Sequence, residues 1–150
     1  MHRFRRARLS DIATLQSIRH SVPEAEDPGP RDLPDTLYAQ YLERRGRGWL
    51  AMAGHQEAGF VIVSLVDQAV WALYVNPAWQ GQGLGRRLLQ IGCHHLFSQG
   101  ARQIRLTTAS GVPALGFYQH LGWRPRQAPE GELVELVLDR PTLLRRRLAP

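Results

Sequence analysis

Ala69-Val-Trp-Ala-Leu-Tyr-Val75 runs directly into Asn76-Pro-Ala-Trp-Gln80-Gly-Gln-Gly83-Leu-Gly85-Arg-Arg-Leu-Leu89: an apolar strand, a glycine-rich turn and the start of a helix. A turn of this kind aims several backbone N–H groups at one point. The unpaired amides of a first helical turn and the positive end of the helix dipole both favour a bound anion, so the stretch reads as a phosphate cradle. Gly81, Gly83 and Gly85 are expected to bring backbone close to the ligand, at positive φ where a Cβ would clash.

Spacing separates the phosphate-binding turns that could stand here. A P-loop needs Gly-x4-Gly-Lys-Ser/Thr, and the chain contains no lysine. A dinucleotide turn needs Gly-x-Gly-x-x-Gly and an acid about twenty residues on for the ribose. Counted from Gly83 the third glycine is Leu88, counted from Gly81 it is Arg86, and Arg102, Gln103 and Arg105 stand where the acid belongs. Neither pattern fits.

Working outward, the strand is the third of a set: Trp49 to Ala53, Gly59 to Leu65 and Ala69 to Val75, joined by short turns, predict an antiparallel meander. Residues 2 to 8 read as a preceding edge strand. Ser10-Asp11 reads as the cap of a helix with Ile12, Leu15, Ile18 and Val22 on one face. A proline-rich acidic loop, Val22 to Pro30, separates it from a second helix carrying Leu37, Tyr38, Tyr41 and Leu42, which Gly46 and Gly48 are expected to close. After the glycine turn, Leu84, Leu88, Ile91 and Leu96 mark a helix that Gly100 ends. Gln103 to Thr108 alternates as a strand, Ser110 and Pro113 open a helix that Gly122 ends, and Trp123 to Arg126 with Glu132 to Leu138 form a closing pair. The expected order is β-α-α-β-β-β-α-β-α-β-β. The class is α/β (α+β): one domain over residues 1–150, with a mixed, mostly antiparallel sheet and about four helices.

Composition fits a single packed core, with 43% apolar residues in 150. No run approaches the roughly 18 uncharged apolar residues of a membrane span, so no membrane association and a cytoplasmic setting are expected. Cys93 is the one cysteine, which fits a reducing compartment. Formal charge is +6 and all 19 basic residues are arginine. The arginines are scattered apart from Arg3/Arg5/Arg6/Arg8 and Arg145–Arg147, with no aromatic residues interleaved, so nucleic acid is not expected as a partner. His94 and His95 are adjacent and point about 100° apart on a helix, so they cannot share a metal ion; no metal is expected.

Gln80-x-x-Gly83-x-Gly85 after a strand ending Leu73-Tyr-Val75-x-Pro77 is similar to the coenzyme A turn, Arg/Gln-x-x-Gly-x-Gly/Ala, of the GNAT superfamily of N-acetyltransferases. The resemblance covers nearly the whole chain, through Phe4-Arg-Arg-Ala-x-x-x-Asp11, the meander and Ala114-x-x-Phe117-Tyr118-x-x-x-Gly122-Trp123. It implies a sheet splayed between the fourth and fifth strands with acetyl-CoA in the gap, its pantetheine arm along Leu73, Tyr74 and Val75 and its pyrophosphate on Gly81, Gln82, Gly83, Leu84, Gly85 and Arg86. It implies an acetyl transfer to an amine of a small molecule or peptide, by direct attack in a ternary complex. A non-catalytic acyl-CoA-binding module on the same fold is the alternative. Dimers are common in the family, so a homodimer is the implied assembly.

That chemistry needs a neutral amine, a donor for the oxyanion and a proton for the thiolate. A backbone N–H near Tyr74 or Val75 suits the oxyanion, worth about 3–4 kcal/mol in other enzymes. Tyr118, where family members place a phenol, is the expected general acid. An alkylamine of pKa about 10.4 is neutral about one time in a thousand near pH 7.4, a deficit of about 4 kcal/mol. The family's glutamate on the fourth or fifth strand is missing here. The acids of the proline-rich loop, Glu24 first, then Glu26 and Asp27, are the candidate base. Members often carry asparagine where this chain has Gly111, so Ser110 is the candidate replacement contact to the cofactor.

Overall fold

The computed structural model describes residues 2–27, 30–126 and 133–140. Strands β1 (His2–Arg6), β2 (Gly46–Ala53), β3 (Gln56–Ser64), β4 (Ala69–Val75), β5 (Gln103–Ala109), β6 (Arg124–Pro125) and β7 (Leu133–Asp139) form one sheet in the order β1-β2-β3-β4-β5-β7-β6. Helices α1 (Ile12–Ser21), α2 (Asp35–Glu43), α3 (Leu84–Ser98) and α4 (Pro113–His120) complete it. Element order and class match the sequence pattern.

The sheet carries an apolar layer on each face. Leu15, Ile18, Tyr38 and Leu42 of α1 and α2 pack on Leu50, Phe60 and Ile62. Leu88, Cys93 and Leu96 of α3 pack on Val61, Val63, Ile104 and Leu136. That is why Phe60 to Val63 is an unbroken apolar run: a strand with helices over both faces has no wet side, and all four residues are fully buried.

Three local expectations change. Gly46 and Gly48 do not cap a helix but lie in β2, where a Cβ on Gly46 would sit 1.9 Å from the Val63 carbonyl oxygen; close backbone approach is what requires that glycine. Asp11 is not a side-chain cap of α1. Its carboxylate instead accepts the Arg8 N–H at 2.7 Å and both Arg5 guanidinium nitrogens at 2.9 Å, closing a 3-10 turn over Leu9–Asp11 and ending β1 at Arg6. The closing strand is β7; Glu132 lies outside the described residues.

One break in the ladder positions the site. β3 and β4 pair antiparallel along β4, and β5 pairs with β7 along its length, but β4 and β5 meet in parallel at a single position, Ala69 opposite Arg105. Beyond it the two strands part, and the facing edge of β4 has no strand partner.

Candidate functional site

Two cavities meet at the open end of the gap between β4 and β5, and a third lies at its paired end beside Ala69 and Arg105. The first, of about 400 Å³, is bounded by Leu73, Val75, the glycine turn and Pro113, Ala114 and Phe117 of α4. Gly81 and Gly83 both hold φ of +81°, the left-handed region that penalises any Cβ and β-branched residues most. A Cβ built on either meets nothing within 4 Å, so conformation demands these glycines. Gly85 differs: it is helical and a Cβ would make ordinary contacts at 3.6 and 3.8 Å with Val75 and Phe117, so the expected positive φ is absent there. The first bond into α3 runs from Arg87 N–H to the Gly83 carbonyl at 3.1 Å, so the amides from Gly81 to Arg86 serve no backbone carbonyl among the described residues. Unpaired amides at the positive end of a 15-residue helix are the kind of donors that can hold an anion.

Strand alternation assigns the open edge. Asn76 N–H donates to the Ala58 carbonyl at 2.8 Å, and hydrogen-bonded positions alternate along an antiparallel pair. Tyr74 N–H therefore faces β3, while Leu73 and Val75 turn their peptide groups to the gap. Gln80 Nε2 donates to the Val75 carbonyl at 3.1 Å and fixes the turn to the strand end.

The second cavity, about 250 Å³, lies between β4, β5 and the loop after α1. It shares Glu26, Leu73, Tyr74, Ala114 and Tyr118 with the first. Asp27 is neutralised there. It accepts from Tyr74 Oη at 3.0 Å and from Arg19 Nε at 3.2 Å, and the Arg19 guanidinium lies 4.9 Å over the Tyr74 ring. Burial pushes the Tyr74 phenol well up, so it remains the donor. Arg31 holds the loop by donating to the carbonyls of Arg19 and His20 at 3.0 and 2.9 Å and to that of Val22. The Glu26 backbone N–H donates to the Pro23 carbonyl at 2.9 Å, but its carboxylate forms no ion pair or hydrogen bond with any described residue and is an unmatched charge where the cavities meet. Trp71 forms part of the wall, stacked on Tyr41 at 4.0 Å and edge-on to Tyr38 at 5.5 Å.

Tyr118 lies at the junction. It is 8% exposed, packs against Phe117 and Trp123, and its hydroxyl takes no hydrogen bond from a described residue. Burial, with Cys93 adding to it, pushes the phenol far above its ordinary value, so it stays protonated.

The structure gathers most of the residues expected from sequence: Leu73, Tyr74, Val75, Gln80, Gly81, Gly83, Leu84, Gly85, Arg86 and Tyr118 all line the first cavity. It separates others. Glu24 lines neither cavity; its side chain is 87% exposed and reaches only toward Arg31 at 4.0 Å. Gln82 turns away to His2 at 3.2 Å. Ser110 is exposed and lines neither cavity, while Gly111 at φ +78° occupies the conformation that asparagine tolerates best among residues with a side chain. Arg87 is taken up by the Phe4 ring at 4.5 Å. Arg19 joins the site without a motif to announce it; its one signal in the sequence is that it follows Leu15 by one helical turn and so stands on the inward face, a position where a charge implies a partner.

A chain with this splayed sheet and glycine turn has the architecture of an acyl-CoA-dependent transferase. A model of the acetyltransferase (GNAT) family matches residues 11–123, and the chain belongs to that family. It is 31% identical over 116 residues to a mycothiol acetyltransferase of Catenulispora acidiphila, a match covering 71% of this chain and 37% of that protein; the chain thus spans well under half the length of that relative. In fold it is similar to the ribosomal-protein-S18-alanine N-acetyltransferase of Escherichia coli, with a TM-score of 0.76 and 20% identity over 93% of this chain and 94% of that one. It is also similar to the PaiA N-acetyltransferase of Thermoplasma acidophilum, solved in complex with coenzyme A, with a TM-score of 0.75 and 14% identity over 93% and 99% of the two chains.

Proposed function

We propose that this chain is an acetyl-CoA-dependent N-acetyltransferase acting on a primary amine of a small molecule or peptide by direct attack in a ternary complex. The observation that carries the reading is Tyr118, a proton-holding phenol buried where a backbone-lined anion cavity meets a polar cavity containing an unmatched carboxylate. The residues present fit the cofactor. The amides from Gly81 to Arg86 and the Arg86 side chain would hold its pyrophosphate, the open peptide groups of Leu73 and Val75 its pantetheine arm as an added strand, and Leu73, Val75 and Phe117 its apolar surface. When bound, acetyl-CoA supplies an activated acetyl group, and transfer forms a C–N bond as the C–S bond breaks.

Each remaining task falls to a group of this chain. Glu26 accepts the ammonium form of the acceptor and takes its proton, offsetting part of the roughly 4 kcal/mol needed for a neutral amine. The gap-facing N–H of Leu73 or Val75, in place of Tyr74, bears on the carbonyl oxygen as charge develops. Tyr118 donates to the departing sulfur. A phenol raised this far does not stay ionised beside a thiolate, so the proton it gives to sulfur is replaced by the one the attacking nitrogen sheds as the C–N bond forms, and the phenol ends protonated. The Tyr74–Asp27–Arg19 unit holds the loop that carries Glu26. Catalysis in the cytoplasm is part of the proposal; buried Cys93 forms no disulfide.

The test is thiol release from acetyl-CoA in the presence of an amine panel that includes amino sugars, small alkylamines and peptide N-termini. Turnover with at least one class is expected. Tight binding of coenzyme A without turnover on any would favour the non-catalytic module.

A further inference from the structure

Helix α3 presents a second face. Arg87, Gln90, Ile91, His94, His95 and Ser98 recur at helical spacing along a groove of about 410 Å³ whose opposite wall is Trp49 of β2. This groove is as roomy as the cavity at the glycine turn and shares no lining residue with it. β1 supplies two further groups. Arg6 lies opposite Trp49 in the strand register, its guanidinium 5.7 Å from the ring centroid, and Phe4 carries Arg87 at 4.5 Å. The His95 ring meets Trp49 edge-on at 5.2 Å. Aromatic residues therefore do interleave with the first arginine cluster, contrary to the sequence expectation: Phe4 directly, and Trp49 across the sheet.

This surface gathers several arginines beside aromatic rings without a counter-charge. Elsewhere Arg5 meets Asp11, Arg124 meets Asp139 and Arg126 meets Glu135. Among the described residues, none of Arg6, Arg47 and Arg87 forms an ion pair with a carboxylate. Burial and the neighbouring charges of Arg47, Arg6 and His94 hold the His95 imidazole below its ordinary range, an independent sign of crowded positive charge. A guanidinium resting on a ring retains its N–H edge for a planar or tetrahedral anion and has already lost part of its rotamer freedom. The floor of Trp49 and Ile91 is apolar, and the volume falls within the range of small-ligand sites.

We propose that this groove is a second anion site, separate from the acyl-donor cavity, which takes a phosphorylated aromatic ligand of mononucleotide size. The phosphate sits on Arg6 and Arg87 and the flat ring against Trp49 and Ile91. This assignment stands whether or not the acyl-transfer reading does.

Calorimetry with AMP as the probe tests it, run in parallel on the wild type and on Gly83→Val, so that binding in the groove, which that substitution leaves intact, is told apart from binding at the glycine turn. We expect one site with Kd on the order of 100 µM. The Arg6→Gln/Arg87→Gln pair should raise Kd at least tenfold, with coenzyme A binding and the circular dichroism spectrum unchanged. Trp49→Leu, which keeps both arginines, should weaken AMP while leaving inorganic pyrophosphate binding as it was; this variant decides the matter if the double substitution does not fold. The assignment is overturned by no AMP binding up to millimolar concentration, by AMP binding that survives loss of both arginines, or by tight binding of a short single-stranded RNA where AMP fails.

Discussion

The two cavities at the splay are built differently. The first takes most of its polar groups from backbone: orphan amides, open strand peptides and a turn held by two glycines at positive φ. The second is made of side chains brought from α1, its following loop, β4 and β5. A backbone site leaves a compact mark in one stretch of sequence because only glycine satisfies its dihedrals. A side-chain site draws single residues from distant stretches, and any one of them looks like an ordinary surface or core residue until folding brings it together with the rest.

The largest effect should fall on Tyr118, one of the five residues shared by both cavities. Tyr118→Phe keeps the ring that packs on Phe117 and Trp123 and removes the donor, so kcat should fall roughly 10- to 1000-fold with little change in coenzyme A affinity. Because burial raises this phenol, the wild-type rate should show no alkaline fall from tyrosine ionisation across ordinary assay pH. Steady-state kinetics against pH checks both; an unchanged kcat would take Tyr118 out of the mechanism.

Gly83→Val attacks the backbone site alone. Forcing a β-branched residue to φ near +81° costs about 1–3 kcal/mol, so coenzyme A binding should weaken roughly 5- to 150-fold by calorimetry or the melting temperature should drop equivalently. Retention of both would mean that the turn does not need its left-handed conformation.

Glu26→Gln removes the free charge of the side-chain site and touches none of the backbone donors of the first cavity. It should lower kcat/KM for the amine about tenfold near neutral pH and leave coenzyme A affinity as it was, while Glu24→Gln should alter neither. Equal losses from the two substitutions would contradict the separation of these residues in the loop.

The smallest effect lies away from both cavities. Asp11→Asn removes the bidentate partner of Arg5 and weakens the acceptor of the Arg8 amide; with Arg5 about two-fifths exposed, the cost should be about 1 kcal/mol. The Arg5 hydrogen bond holds the Asp11 carboxyl below its ordinary value near 3.8. Its contribution is therefore present above that value and lost as pH falls through the folded pKa. Thermal melts should show wild type and variant diverging near pH 7 and converging in acid.

The order of elements was legible in the sequence because apolar period and glycine punctuation specify strands and helices locally. The splay was legible only through the family resemblance: nothing in the residues of Ala69 to Val75 or Gln103 to Thr108 themselves says that they pair once and then part. Of the site, the glycine turn and Tyr118 could be read ahead. The choice among Glu24, Glu26 and Asp27 could not, since it depends on Arg31 and Arg19 gripping the loop from elsewhere in the chain. Gly46 shows the opposite failure. A glycine after a helical pattern reads as a cap, yet here it is close contact with Val63 that requires it.

The most direct measurement is a calorimetric titration of acetyl-CoA into the folded protein. The account predicts a single site with Kd of tens of micromolar or tighter, retained in Tyr118→Phe and Glu26→Gln and weakened in Gly83→Val. Absence of binding at those concentrations in correctly folded protein would contradict it.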